Sequence, residues 1–187
     1  MTRTRIMLAV ALTLGIASFN ATSADLDGTI EFTGALSTST CLIEGHPPGQ
    51  NLAKKDVPLG GVEVGKLTAV GSTAGDRGFN ITIGGANDLT CEDGKMARVG
   101  FDVTSPLLDT VTGRLNIDGG QDTASNVQIE VINQDDGTPI HMFTDRSHPV
   151  EIRNHQAIIP LIARYHSLGA ATAGAANSRI GFNVTYD

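Results

Sequence analysis

The chain has 187 residues, a formal net charge of −7 at pH 7, no tryptophan and only 4% aromatic residues. An acidic chain without a basic cluster excludes the electrostatic footprint of a nucleic-acid binder or of a protein held on anionic membranes. The scarcity of aromatic rings also leaves little for stacking against sugars.

Residues 1–24 read as a secretory signal peptide. Arg3 and Arg5 give a basic start, residues 6–17 are apolar but too few to span a bilayer, and Ala21-Thr22-Ser23-Ala24 offers small residues for cleavage. Removing 24 of 187 residues leaves 163, enough for one domain with a modest core. Loss of the two arginines takes the formal charge from −7 to −9. No later apolar stretch is long enough to form an integral membrane segment. The scattered charges of the remaining chain read as a solvated surface.

The next segment alternates. Gly28, Ile30, Phe32, Gly34 and Leu36 share one parity, and Asp27, Thr29, Glu31, Thr33 and Ala35 the other. This is the period of a strand with one apolar face. Cys41 follows, and Cys91 is the second of the chain's two cysteines. An even count in an exported chain favours a disulfide over two free thiols, and the spacing is far from a C-x-x-C redox motif. A loop of about 50 residues closed in this way is worth roughly 3–5 kcal/mol in the chain-entropy model.

Short strand patterns continue between Gly, Asn and Asp turns. Val62-Glu63-Val64 reads as a fragment after Gly60-Gly61. Alternating apolar residues predict strands through Phe79, Ile81 and Ile83, through Val99, Phe101 and Val103, and through Val127, Ile129 and Val131. Asp135-Asp136-Gly137 signals a hairpin turn. Residues 157–165 are nearly all apolar, as expected of a strand buried on both faces, and Pro160 within them predicts a bulge or a locally free N–H position. The Gly- and Ala-rich residues 169–177 read as a loop or one short helical turn. The last eight residues alternate strictly: Ile180, Phe182, Val184 and Tyr186 against Gly181, Asn183, Thr185 and Asp187. Many short strands, 22 glycines and no helical period predict one antiparallel β-sandwich.

Motifs for chemistry are absent from this pattern. There is no G-x-S-x-G, H-E-x-x-H, P-loop or G-x-G-x-x-G. His46, His141, His148, His155 and His166 lack metal-ligand spacing, and a scattered histidine is more often a surface or capping residue. Asp135-Asp136 lacks the further ligands of a calcium loop. Asn80-Ile81-Thr82 and Asn183-Val184-Thr185 match a glycosylation pattern, but both fall in predicted strands and the pattern is common by chance. The expectation is a protein with no catalytic residue, no metal and no cofactor. An open apolar edge strand is an aggregation hazard that proteins normally blunt. An edge at residues 180–186, with a strand-forming arm at residues 28–36, therefore offers two readings. The arm of one copy adds to the edge of the next, or the two strands pair within one molecule.

Four stretches together resemble the major subunits of chaperone–usher fimbriae, the type 1 fimbrial pilins. They are Gly28-Thr29-Ile30-Glu31-Phe32-Thr33-Gly34 ahead of Cys41; Val57-Pro58-Leu59-Gly60 followed by Gly78-Phe79-Asn80-Ile81 and Cys91; residues 159–165; and residues 169–177 leading to the final strand with penultimate Tyr186. The resemblance implies an incomplete immunoglobulin-like antiparallel sandwich that lacks its last strand and is completed by a donor strand from a neighbouring subunit. It divides the chain into a signal peptide (1–24), a donor arm (25–37) and a sandwich domain (38–187). The donor residues would be Gly28, Ile30, Phe32, Gly34 and Leu36, and the acceptor groove, occupied first by a chaperone, Ile180, Phe182, Val184 and Tyr186. It also implies a Cys41–Cys91 bridge. The implied partners are identical or related subunits in a linear polymer, a periplasmic pilus chaperone and an outer-membrane usher, with export through the periplasm to a surface fimbrium that supports cell adhesion. Lys54-Lys55, the turn His46-Pro47-Pro48 and the terminal Asp187 depart from the family pattern. A minor adaptor of the same organelle and, from a different class, a secreted β-sandwich binding module are the alternative readings.

Overall fold

The computed structural model describes residues 41–49 and 53–187. The proposed signal peptide and the arm residues Gly28, Ile30, Phe32, Gly34 and Leu36 lie outside the described residues. In chain order the strands are β1 (Thr73–Gly84), β2 (Met96–Phe101), β3 (Leu108–Asp109), β4 (Arg114–Asn116), β5 (Val127–Asn133), β6 (Val150–Glu151), β7 (Gln156–Ser167) and β8 (Phe182–Tyr186). Among the described residues they form a five-stranded sheet in the order β1-β7-β5-β4-β3 and a three-stranded sheet in the order β6-β2-β8, with antiparallel pairing between all these strands.

The core follows the period of two. Ile81 and Ile83 of β1, Val99 of β2, Val127, Ile129 and Val131 of β5, and Ile159 and Leu161 of β7 are all buried in one cluster drawn from both sheets. Each aliphatic side chain so buried stabilises the fold by about 1.5–3 kcal/mol before entropy is counted. Before β1, Gly84 donates to Leu42 O at 2.7 Å and Glu44 to Thr82 O at 2.9 Å, so the segment after Cys41 lies against the end of β1. Cys41 and Cys91 are joined by a disulfide across a sequence separation of 50.

Several local expectations change. Residues 62–64 are not a strand fragment. The chain winds into a 3-10 turn at Val64–Lys66, with Lys66 N–H on Glu63 O and Leu67 N–H on Val64 O. Local bonds there take the Glu63 and Val64 carbonyls that a ladder would use. Val103 falls outside β2, because the Asp102 carboxylate accepts both the N–H and the hydroxyl of Thr104 and turns the chain away. Residues 157–165 form a strand, but only the inward row is buried. Ile158 is 46% exposed, and Pro160 and Ile162 are half-buried. The strand buried on both faces is β5, whose outward Gln128 and Glu130 are covered by neighbouring side chains.

Pro160 is accommodated without a bulge. Ser167 N–H bonds toward β1, at Ser72 O, while Leu168 N–H bonds toward β5, at Asn126 O. Even-numbered residues of β7 therefore turn toward β5, where the register pairs end at Asn133–Leu161 and Gln134 N–H still reaches Pro160 O at 3.4 Å. The N–H that proline lacks falls just beyond that end, as the locally free reading required. The Asp135-Asp136-Gly137 turn is present, with Gly137 at φ +74°. The returning chain pairs with β5 briefly, at an isolated Ile132–Pro139 bridge flanked by Asn133 N–H on Thr138 O and Ile140 N–H on Val131 O, both at 2.9 Å.

Candidate assembly site

β8 pairs with β2 along one side. Met96 and Asp187 exchange N–H···O bonds at 3.0 Å, and Asp102 N–H reaches Gly181 O at 2.9 Å. These bonds set the parity of the antiparallel ladder. Residues 181, 183, 185 and 187 direct their main-chain groups at β2, so those of the even-numbered residues point to the opposite edge. Among the described residues no strand pairs with β8 there. The same even residues turn their side chains inward: Val184 is 7% exposed, and Ile180, Phe182 and Tyr186 are half-buried against the core. A strand added at this edge would meet main-chain donors and acceptors and an apolar row together.

The chain entering β8 borders a cavity of about 320 Å³. One wall is Gly60, Gly61 and Val62; the other is residues 171–177. Tyr165 lines it and donates its hydroxyl to Ala176 O at 3.2 Å. Residues 169–177 form a loop, as the sequence reading allowed, without a helical turn. Its small residues let it lie closely on residues 122–125, where a Cβ on Gly174 would come within 2.4 Å of the Thr123 main chain. Ala171 N–H bonds to Leu67 O and Ala175 N–H to Asp122 O, which anchors the loop at both ends.

No family model matches the sequence. The curated relatives include the type 1 fimbrial protein A chain of Escherichia coli K12, 26% identical over 159 residues, covering 85% of this chain and 83% of the relative. The type 1 fimbrial protein C chain of E. coli is 28% identical over 187 residues, covering 94% and 93%. A major fimbrial subunit of Stenotrophomonas maltophilia is 29% identical over 168 residues, covering 86% and 93%. Over most of its length this chain is similar to fimbrial subunits. Solved structures agree at the level of the fold. A subunit of a chaperone–usher pilus matches with a TM-score of 0.57 at 18% identity, over 89% of this chain and 99% of that one. The P pilus rod subunit PapA matches with a TM-score of 0.54 at 17% identity, over 80% and 100%. The sandwich is thus that of pilus subunits, whose immunoglobulin-like fold is incomplete.

The departures noted from sequence take up structural roles in this chain. Asp187 pairs with Arg98 across the sheet at 3.2 Å. Lys55 pairs with Glu44 at 2.9 Å, and the other Glu44 oxygen accepts the Thr82 N–H. Two polar sites escaped the sequence. The charges are not all solvated: Glu130, 3% exposed, is held by Arg114 at 3.1 Å and Arg164 at 2.7 Å on the outer face of β5. Burial works to raise the Glu130 pKa, but the hydrogen bonds from Arg164 and Arg114 outweigh it and hold it below the usual carboxylate value. His166 beside it is pushed below its ordinary value, chiefly by burial. His148 closes onto the hairpin turn, with Nδ1 2.8 Å from Asp135 and Nε2 4.0 Å from Asp136. The hydrogen bond to Asp135 raises its pKa. Neither contact carries a sequence signal, because the fold brings together groups 12 (Asp136 and His148) to 34 (Glu130 and Arg164) positions apart.

Proposed function

We propose that this chain is a structural subunit of a surface fimbrium that polymerises by donor-strand exchange. The observation that carries the proposal is the outer edge of β8, with which no strand among the described residues pairs and along which the inward row Ile180, Phe182, Val184 and Tyr186 lies. In this reading cleavage after Ala24 frees an arm at residues 25–37. A periplasmic chaperone first covers the edge of the sandwich domain at residues 38–187. At an outer-membrane usher the arm of another copy replaces it, placing Gly28, Ile30, Phe32, Gly34 and Leu36 along the groove. The reading assigns the protein no enzymatic role, cofactor or metal, and the relatives' names are those of fimbrial subunits.

The energetics suit a persistent joint. Burying Ile30, Phe32 and Leu36 contributes about 1.5–3 kcal/mol each. Each new main-chain hydrogen bond adds about 0.5–1.5 kcal/mol. Ordering the arm opposes both. The gross gain is nevertheless comparable with a domain's stability of about 5–15 kcal/mol. Because arm and groove are different surfaces, the contact is heterologous and propagates as an open fibre. The test is expression with a fimbrial chaperone and usher, electron microscopy of the cells, and heat-resistant ladders on gels. Deleting residues 25–36 is expected to abolish ladders while leaving the chaperone complex intact. Ladders from the deleted chain, or a stable monomer with its own arm in its own groove, would overturn the proposal.

A further inference from the structure

Asp88 links the two half-cystines through hydrogen bonds that do not require the disulfide. It lies in the turn between β1 and Cys91, where its N–H bonds to Gly85 O at 2.8 Å and its carbonyl accepts the Cys91 N–H at 3.0 Å. Its carboxylate reaches the other cysteine's segment: Oδ2 accepts the Leu42 N–H at 2.7 Å. Oδ1 accepts the Thr90 hydroxyl at 2.6 Å, which orients the carboxylate. One residue therefore holds the main chain of Cys91 and the residue next to Cys41. Asp88 is 9% exposed, and a charge-assisted bond to a backbone N–H is strong in such surroundings. Burial acts to raise the Asp88 pKa, but the bonds from Thr90 and Leu42 outweigh it, so the group is a carboxylate at neutral pH. The neighbouring chain is held as well. Leu42 O accepts the Gly84 N–H at 2.7 Å, and His155 Nδ1 lies 2.8 Å from Cys91 O.

We propose that Asp88 is a positioning residue for oxidative closure of the Cys41–Cys91 bond. It docks the segment that carries Cys41 onto the turn that carries Cys91 before the covalent bond forms. Without such a contact, two thiols 50 residues apart meet by chain search, which is entropically costly. With glutathione disulfide as the oxidant, one cysteine thiolate attacks it, forms a mixed disulfide and releases one glutathione thiolate. The second cysteine thiolate then attacks the protein sulfur of the mixed disulfide and releases the second. The two protein thiols give up two electrons to the glutathione disulfide, and their two protons end on the two glutathione thiols. Only the second step needs both segments together, so that step is the one Asp88 accelerates.

The full chain is refolded from its reduced, denatured state in a glutathione buffer. The closing step is followed by acid quench, thiol blocking and mass spectrometry. Asp88→Ala is compared with Asp109→Ala, which removes another carboxylate bonded to main-chain N–H groups and to Gln128. Asp109 lies on β3, at the opposite end of the sheet order from β1. Asp88→Ala is expected to slow closure about tenfold or more and Asp109→Ala less than about twofold, with both closing at the wild-type rate in concentrated urea. Asp88→Asn keeps the side-chain volume and weakens the acceptor. It is expected to slow closure at least about threefold with an unchanged far-UV spectrum, separating positioning from loss of fold. Equal slowing by Asp88→Ala and Asp109→Ala, or closure of either Asp88 variant at the wild-type rate, overturns the assignment.

Discussion

Gly84→Ala tests how closely the end of β1, the disulfide and the β6–β7 turn are fitted together. Gly84 has φ +68°, and a Cβ there would lie 2.1 Å from His155 O, 2.7 Å from Cys91 Sγ and 3.1 Å from Cys91 Cβ. Two costs add. A left-handed backbone costs an alanine about 1 kcal/mol. Relief of the overlap requires the backbone of the 153–156 turn or the disulfide to move, and overpacking of that kind costs about 1–3 kcal/mol. The expected loss is about 2–4 kcal/mol, a large share of a typical domain's stability. Gly137→Ala isolates the first cost. Gly137 has φ +74° and open space around its Cβ position, so it should lose only about 1 kcal/mol. Urea unfolding of the oxidised protein, followed by far-UV circular dichroism, reads both variants against the parent. If Gly84→Ala loses no more than Gly137→Ala, the packing argument fails and the glycine serves its backbone angle alone.

In the proposed arm, Gly34→Val is expected to leave folding and chaperone co-purification intact while abolishing heat-resistant ladders; normal ladders would show that the arm is misassigned. Glu130→Ala leaves Arg114 and Arg164 without their shared carboxylate and should cost about 2–3 kcal/mol, below the value for a fully buried pair because both guanidiniums reach water. Since the folded pKa of Glu130 is depressed, its contribution is complete above the ordinary carboxylate pKa and is lost as pH falls through the folded value. Glu130→Gln should accordingly flatten the acid limb of the stability curve, and an unchanged limb would refute the linkage. His148 has a raised pKa, so its contribution is complete below the ordinary histidine value and disappears as pH rises through the folded one. Asp135→Asn should return the His148 titration, followed by NMR, toward that ordinary value.

The local period of two, read from the amino-acid order alone, placed β1, β2, β5, β7 and β8, because side chains alternate between core and solvent whatever the partner strand. It also placed the hairpin turn at Gly137 and the inward row of β8, and it pointed to a pilin. What it did not contain was partnership. Residues 157–165 look buried on both faces, yet β7 leaves Ile158 exposed. The alternating β5 is the strand covered on both sides, because Arg114 and Arg164 reach over Glu130 from its neighbours. The clustering of His148 with Asp135 and Asp136, and the grip of Asp88 on Leu42, depend on which strands pair and in what register. Register is a property of two segments at once, so only the tertiary structure decides it.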